Sequence, residues 1–278
     1  MFNLVNLYTL SPLHTGGTSQ EGNLLGIARE SHTNLPYIPS STIRGRLRSM
    51  TEPIEKKRFL WGNEINDVQD GTSDNLTQGN VWVGDGSILW LPVPSLSHGV
   101  VWISSPMLLH RWARISGVKS KVPTPYSTNL DSKVVYLKDA ILKQAESQLT
   151  NWQQWKNFIP NNSATEIVQR VMVLPDQHCQ TLIQMSLWRQ VKIKLDQHKS
   201  VDGGFRYEEA IPPDTLIYFS WGTTSSNTNT VNKASSDFQA LLSKEESAIL
   251  QIGGQESLGR GFVQQWMASQ TQQQEVVA

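Results

Sequence analysis

The sequence predicts an α+β domain of ferredoxin-like type carrying long insertions. Three observations predict it. Strand-like runs dominate the apolar segments, a few helix patterns are spaced between them, and no internal repeat interrupts the order. The chain of 278 residues has ample surface to bury one large core and is read as a single domain over 1–278.

The first element is "LVNLYTLSPL", Leu4 to Leu13. Leu4, Asn6, Tyr8 and Leu10 alternate with Val5, Leu7 and Thr9, as in a strand apolar on both faces. A glycine-rich polar loop, "HTGGTSQEGNLLG", follows. In "LPYIPSSTIRGRLRSM", Pro39 before Ser40 and Ser41 marks a helix start, because a serine oxygen accepts the free N–H groups of a first turn. Ile43 and Leu47 would share its buried face, and Arg44 and Arg48 another.

Residues 62–80 are polar and turn-rich and read as a surface loop. "VWVGDGSILWLPVPSL" and "GVVWISSP" read as two strands around a turn. A short helix is expected from Met107 to about Arg114, followed by a tract with Arg111, Arg114, Lys119 and Lys121 and no acid. An insertion spans 115–165, with Trp152 and Trp155 in a helical segment. Residues 188–210 read as a hairpin: Val191, Ile193 and Leu195 alternate with Lys192 and Lys194, and "DGG" supplies turn glycines. "TLIYFSW" is a strand, and 222–236 a low-complexity insertion. "FQALLSKEESAIL" is a helix pattern with Gly253 and Gly254 just past it. "GFVQQWM" is a final strand, and 269–278 a frayed tail.

Composition bounds the function. Basic and acidic side chains balance at 24 each, so nucleic acid could be held only by a local patch. One cysteine, Cys179, excludes an intrachain disulfide framework and fits a reducing compartment. The N-terminus lacks a basic start and a cleavage site, and no apolar run approaches membrane-spanning length. A soluble cytoplasmic protein is expected. P-loop, CxxC, HExxH and GxSxG patterns are absent, and His178 beside Cys179 lacks further ligands for a metal.

Two clusters are ambiguous from the residues alone. The stretch "IGGQESLGRGF" is either a tight turn with glycines at positive φ, or a backbone that approaches a phosphate with Arg260 adding charge. Arg44, Arg46 and Arg48 are either a solvated face or a phosphate contact at a helix start; the lack of acids between them favours phosphate. Trp188 is either a packed hairpin base or a stacking residue, and the packed base is the commoner outcome.

The linked motifs "LYTLSPLHTGG", "RESHTNLPYIPSSTIRGRLR", "GSILWLPVPSLSHGVVWISSP", "VMVLPDQ", "GGFRYEEAIPPDT" and "IGGQESLGRGF" resemble, in this order, the RAMP superfamily. Within it the chain is most similar to the backbone subunits of type III-B CRISPR effectors, the fourth subunit of the Cmr complex. The resemblance covers nearly the whole chain apart from the polar insertions and tail. It implies an RRM-like fold whose copies stack head to tail along a guide crRNA, paired through it to target RNA and joined to other effector subunits. It implies a β-hairpin thumb that displaces bases at intervals, best placed at 188–210 with Trp188, Lys192, Lys194 and Lys199. Together with the motifs, it makes His14, Gly16, Gly17, Ser40, Ser41, Arg44, Arg46, Arg48, Gly253, Gly254, Gly259, Arg260 and Gly261 the expected RNA-binding residues.

The sequence also departs from the pattern. Relatives cut target RNA with an aspartate in a loop reading roughly "GVVDLPIQRE"; this chain reads "GNLLGIARE". Leu24, or Leu25 in the alternative register, replaces the aspartate, and no aspartate occurs before Asp67. Pro94 stands where relatives often carry arginine. The expectation is a guide-binding subunit that does not cleave, with no cofactor. The alternative is a metal-dependent ribonuclease, with Glu21 or His14 as substitute and magnesium as its ion. A crRNA-processing enzyme is a third class that the best match disfavours.

Overall fold

A computed structural model describes residues 3–21, 24–63, 75–143, 149–245 and 248–268. The chain opens with β1 (Asn3–Thr9), β2 (Gly16–Glu21), β3 (Leu24–Ile27) and β4 (Tyr37–Ile38). Helices α1 (Ser40–Ser49) and α2 (Ile54–Trp61) follow, then β5 (Val81–Val83), β6 (Gly86–Ser95) and β7 (Gly99–Ser104). Next come α3 (Pro106–Ser116), β8 (Ser127–Thr128), β9 (Val134–Leu137), β10 (Ala140–Lys143) and β11 (Thr150–Asn151). Turns of 3-10 helix at Trp155–Phe158 and Ser163–Thr165 precede β12 (Val171–Val173) and α4 (Asp176–Met185). The chain continues with β13 (Trp188–Leu195), β14 (Val201–Ala210), β15 (Leu216–Thr223), α5 (Thr228–Leu242), β16 (Ile249–Gln251) and β17 (Phe262–Met267).

The expected ferredoxin-like path is present. It runs β1–α1–β6–β15–α5–β17, and the strands lie in the order β17–β1–β15–β6 with every neighbour antiparallel. Residues 96–215 form an insertion between the second and third core strands, and the hairpin β13–β14 belongs to it. The hairpin joins β3 and β2 in a separate four-stranded sheet.

Period-2 alternation in β1 splits the core into two layers. Val5 and Leu7 pack with Ile43 and Leu47 of α1 and with Phe238 and Leu241 of α5. Leu4 and Tyr8 point the other way, among Trp90, Trp112 and Phe158. Phe238 anchors the helical layer, its ring centroid 4.5 Å from Trp221 and 5.7 Å from Trp61. Truncating so buried a ring costs about 3–5 kcal/mol. Tyr8 donates to Asp214 at 2.6 Å, and burial first, then Asp214, raises its pKa well above the ordinary value. Burial likewise raises Tyr218 to about 12.

Several local expectations need correction. α1 has no side-chain cap; the Asp85 carboxylate accepts the Ser40 N–H at 2.6 Å. α2 had no readable period, because its two buried residues, Leu60 and Trp61, are adjacent at its end. α4 was also missed, its buried Cys179, Leu182 and Ile183 being spaced through polar residues. The segment around Trp152 and Trp155 forms short strands and a 3-10 turn instead of an α-helix. α5 starts at Thr228, inside the stretch read as low-complexity, because Asn227 accepts the N–H groups of Asn229 and Thr230. It ends at Leu242, so "SKEESAIL" does not continue it. The hairpin turn is 196–200 and not "DGG". Asp196 accepts the His198 and Ser200 N–H groups, while Gly203 and Gly204 sit within β14 at positive φ. The polar loop reading of 62–80 falls largely on 64–74, and the tail reading on 269–278, both outside the described residues.

Candidate nucleic-acid interface

The hairpin base gathers several charged side chains from distant parts of the chain. Cross-strand register runs from Trp188↔Ala210 to Ile193↔Phe205 and continues at Leu195↔Val201. Residues therefore alternate between two faces. Val191, Ile193, Phe205 and Tyr207 lie on one face and are exposed. Gln190, Lys192, Arg206 and Glu208 lie on the other.

Two adjacent glutamates close the base, and both are buried. Glu208 receives Arg260 Nη1 at 2.7 Å, Lys192 Nζ at 3.0 Å and Arg206 Nη2 at 3.1 Å. Glu209 receives Arg29 Nη2 at 2.6 Å and Arg189 Nη2 at 2.8 Å. Burial alone would raise the Glu208 carboxyl, yet hydrogen bonds and charge from Lys192 and Arg260 hold it below the ordinary value. Five cations thus face two carboxylates, three around Glu208 on one face of the hairpin and two around Glu209 on the other. The surplus positive charge reaches solvent through Arg189 and Arg206, both more than half exposed. Sequence reasoning had not singled out Arg29, Arg189, Arg206, Glu208 or Glu209. The alternation of charge through "RQVKIK" and "FRYEEA" was the signal available.

Arg260 is not a free phosphate ligand. Its side chain is 5% exposed, bonds to Glu208, Gln255 and, at 2.7 Å, Gln190, and lies 4.5 Å above the Trp188 ring. Trp188 is accordingly the packed hairpin base. Of the other hairpin lysines, Lys192 pairs with Glu208, Lys194 pairs with exposed Asp202 at 2.9 Å, and Lys199 occupies the turn at φ +60°.

The glycine loop is spent on the protein's own backbone. Gly254 N–H donates to the His14 carbonyl at 3.0 Å, and Gly261 N–H to Pro12 at 2.9 Å. A Cβ at Gly253 would lie 2.3 Å from the His14 oxygen, and one at Gly261 would lie 2.0 Å from the Ile252 oxygen. Close approach of the backbone at these two glycines is therefore to residues 12–15 and 252. Gly259 faces open space at φ +73° and serves the turn. His14 is buried, and its Nδ1 donates to the Glu209 carbonyl at 2.8 Å, which assigns the proton to Nδ1. Gly16 and Gly17 lie in β2; a Cβ on Gly17 would meet the Ile27 carbonyl at 3.0 Å.

The arginine helix is also partly committed. Arg44 and Arg48 donate to the Trp61 carbonyl, and Arg48 also to Gly62 at 2.9 Å, so they neutralise the C-terminus of α2. Burial, then the Arg48 charge, lowers the Arg44 pKa. Asp85 occupies the N-terminus of α1 beside Ser40, leaving exposed Ser41 next to it. Arg46 stands apart: its Nε is buried without a hydrogen-bond partner. His178 Nδ1 lies 3.4 Å from the Tyr126 hydroxyl, while Cys179 is buried and its pKa raised by burial.

Leu24 and Leu25 open β3, directly beside the hairpin. They are register partners of Tyr207 and Glu208 in a parallel pair, and Leu24 faces Glu21 across the β2–β3 ladder. Among the described residues, no helix is long and apolar enough to cross a membrane.

A family model for the RAMP superfamily matches residues 6–264. The chain is 31% identical to the CRISPR system Cmr endoribonuclease Cmr4 of Pyrococcus furiosus over 285 residues, covering 94% of this chain and 93% of that protein. Its fold matches the crystal structure of oligomeric Cmr4 from Pyrococcus furiosus with a TM-score of 0.66, at 24% identity over 96% of this chain and 97% of that one. It also matches a chain of the type III-B Cmr-beta complex bound to cognate target RNA, with a TM-score of 0.68 at 20% identity, covering 96% and 97%.

Proposed function

The chain belongs to the RAMP superfamily and, within it, to the Cmr4 family of type III-B CRISPR subunits, and from that premise we propose that it is a guide-RNA-binding backbone subunit. Copies stack along one crRNA, and target RNA is held by pairing with the guide. The observation that carries this reading is the surplus of cations at the hairpin base, open to solvent through Arg189 and Arg206. A phosphate chain needs such a local patch, and a neutral protein can supply it only locally. The hairpin itself is the thumb. It offers exposed Phe205 and Tyr207, rings 5.5 Å apart, against which bases stack. The oligomeric Cmr4 relative and the target-RNA-bound complex support the self-assembly and RNA partners.

The proposal includes the absence of target cleavage. An alkyl side chain at position 24 neither holds a cation nor orients an attacking 2′-oxygen. The second reading is a ribonuclease with a relocated carboxylate. It draws on the relative named an endoribonuclease and on the backbone position of Glu21 opposite Leu24. A magnesium ion would serve only that reading.

The test is guide binding by the Arg189→Ala/Arg206→Ala chain. Loss of two phosphate contacts flattens the slope of log K against log salt by roughly two units. An unchanged slope with the native fold retained counts against the interface.

A further inference from the structure

A second basic surface lies on the insertion, at the end of α3 and in the loop that follows it. No aspartate or glutamate occurs from residue 86 to residue 130, while Arg111, Arg114, Lys119 and Lys121 fall inside that stretch. Arg111 is committed to Glu30 at 2.9 Å. Arg114 stands in the last turn of α3, away from buried Trp112 and Ser116, and is exposed, as is Lys121. The 3-10 turn Trp155–Phe158 sits against this loop. Asn157 Nδ2 donates to Ser120 Oγ at 2.8 Å, and Val118, Val122 and Trp155 pack against one buried cluster.

Two properties define what would fit. Among the described residues, no carboxylate pairs with Arg114, Lys121 or Lys156. At the hairpin base, by contrast, every cation meets a glutamate. Lys156 is exposed, and its Nζ lies 5.5 Å from the ring of half-buried Trp155. That ring lines a cavity of about 440 Å³ together with Lys156, Asn161, Gln169 and one acid, Glu166. Unneutralised, exposed cations attract a polyanion. Cations beside an accessible ring are the combination with which proteins hold single strands: the cations follow the phosphates and the ring takes the face of a base.

We propose that this surface holds a single-stranded segment of RNA, with Arg114, Lys121 and Lys156 on its phosphates and Trp155 stacked on one base. Lys121 lies five residues past α3, so at most about 18 Å from its end. The Ser120–Asn157 bond brings Lys156 to the same loop. The three cations therefore lie within the span of one short strand. Phosphate and ring contacts carry no base-edge readout, so the binding is independent of sequence. The inference goes beyond the guide-binding reading, because none of these residues belongs to the hairpin or to α1.

The probe is a labelled, unstructured single-stranded RNA, titrated into the full chain by anisotropy across a salt series. Arg114→Ala/Lys121→Ala/Lys156→Ala removes three exposed charges. It should flatten the slope of log K against log salt by about two units, at roughly 0.7 for each phosphate on a single strand, with the thermal midpoint unchanged. Trp155→Leu keeps apolar packing and removes the ring; it should weaken the RNA about tenfold and leave the slope alone. The three alanines are also placed in the Arg189→Ala/Arg206→Ala chain, where the same flattening is expected. That result establishes this contact even if the hairpin fails its own test. The proposal is overturned if the slope does not change, if Trp155→Leu binds as the natural chain does, or if the hairpin variant alone abolishes RNA binding. Labelled polyglutamate is the competing probe. If the three alanines release it and leave the RNA slope intact, the surface belongs to an acidic protein segment and the proposal is wrong.

Discussion

Arg260 Nη1 lies 2.7 Å from Glu208 Oε2, tying the C-terminal glycine loop to the base of the hairpin. Both side chains are buried, and Trp188 covers the guanidinium. Removing one partner leaves a buried charge uncompensated, which costs about 3–5 kcal/mol in such pairs. The pair therefore fixes how the hairpin projects from the body.

Glu208 gives the pair a pH signature. Its folded pKa is depressed, so its stabilising contribution is present above the unfolded value of 4.5 and is lost as pH falls through the folded value. Natural protein should lose stability faster than Glu208→Gln as pH falls below 4.5, because the glutamine carries no titrating group. Parallel denaturation curves across that window would show that Glu208 is not held as an anion.

Arg44→Ala combined with Arg48→Ala should destabilise the chain by about 1–2 kcal/mol, because the α2 carbonyls lose charged donors that are partly screened by solvent. Its salt slope for RNA should stay near the natural one, whereas Arg46→Ala should flatten the slope by about one unit. A native melting point for the double variant contradicts the capping role.

These two arginines also show how far the sequence could be read. Their four-residue spacing placed them on one helix face, which the structure keeps. Nothing local said that α2 would end against that face, because α2 lacks a readable period. β1 was legible for the opposite reason: its alternation is local, and both faces are buried. The glycine loop was legible as a loop, but its target was not. Gly253 and Gly261 approach His14 and Ile252, and the His14 contact joins segments some 240 residues apart. The burial of Glu208 and Glu209 was not legible, since burial of a carboxylate depends on arginines brought from Arg29 and Arg260 by tertiary structure.

The position of Leu24 yields a gain-of-function prediction. Leu24→Asp should create or raise cutting of target RNA at regular intervals in the presence of a divalent metal. Glu21→Ala should leave the natural behaviour unchanged. Periodic cutting by the natural chain that Glu21→Ala abolishes would establish the relocated-carboxylate ribonuclease instead. Gel analysis of end-labelled target with the assembled complex reads both outcomes.

The central claim is that copies of this chain share one guide RNA. Native mass spectrometry of the chain, co-expressed with a guide and the companion effector subunits, tests it most directly. The account predicts a particle holding several copies of the chain and one RNA, which falls apart as salt rises. A chain recovered as an RNA-free monomer under the same conditions contradicts it.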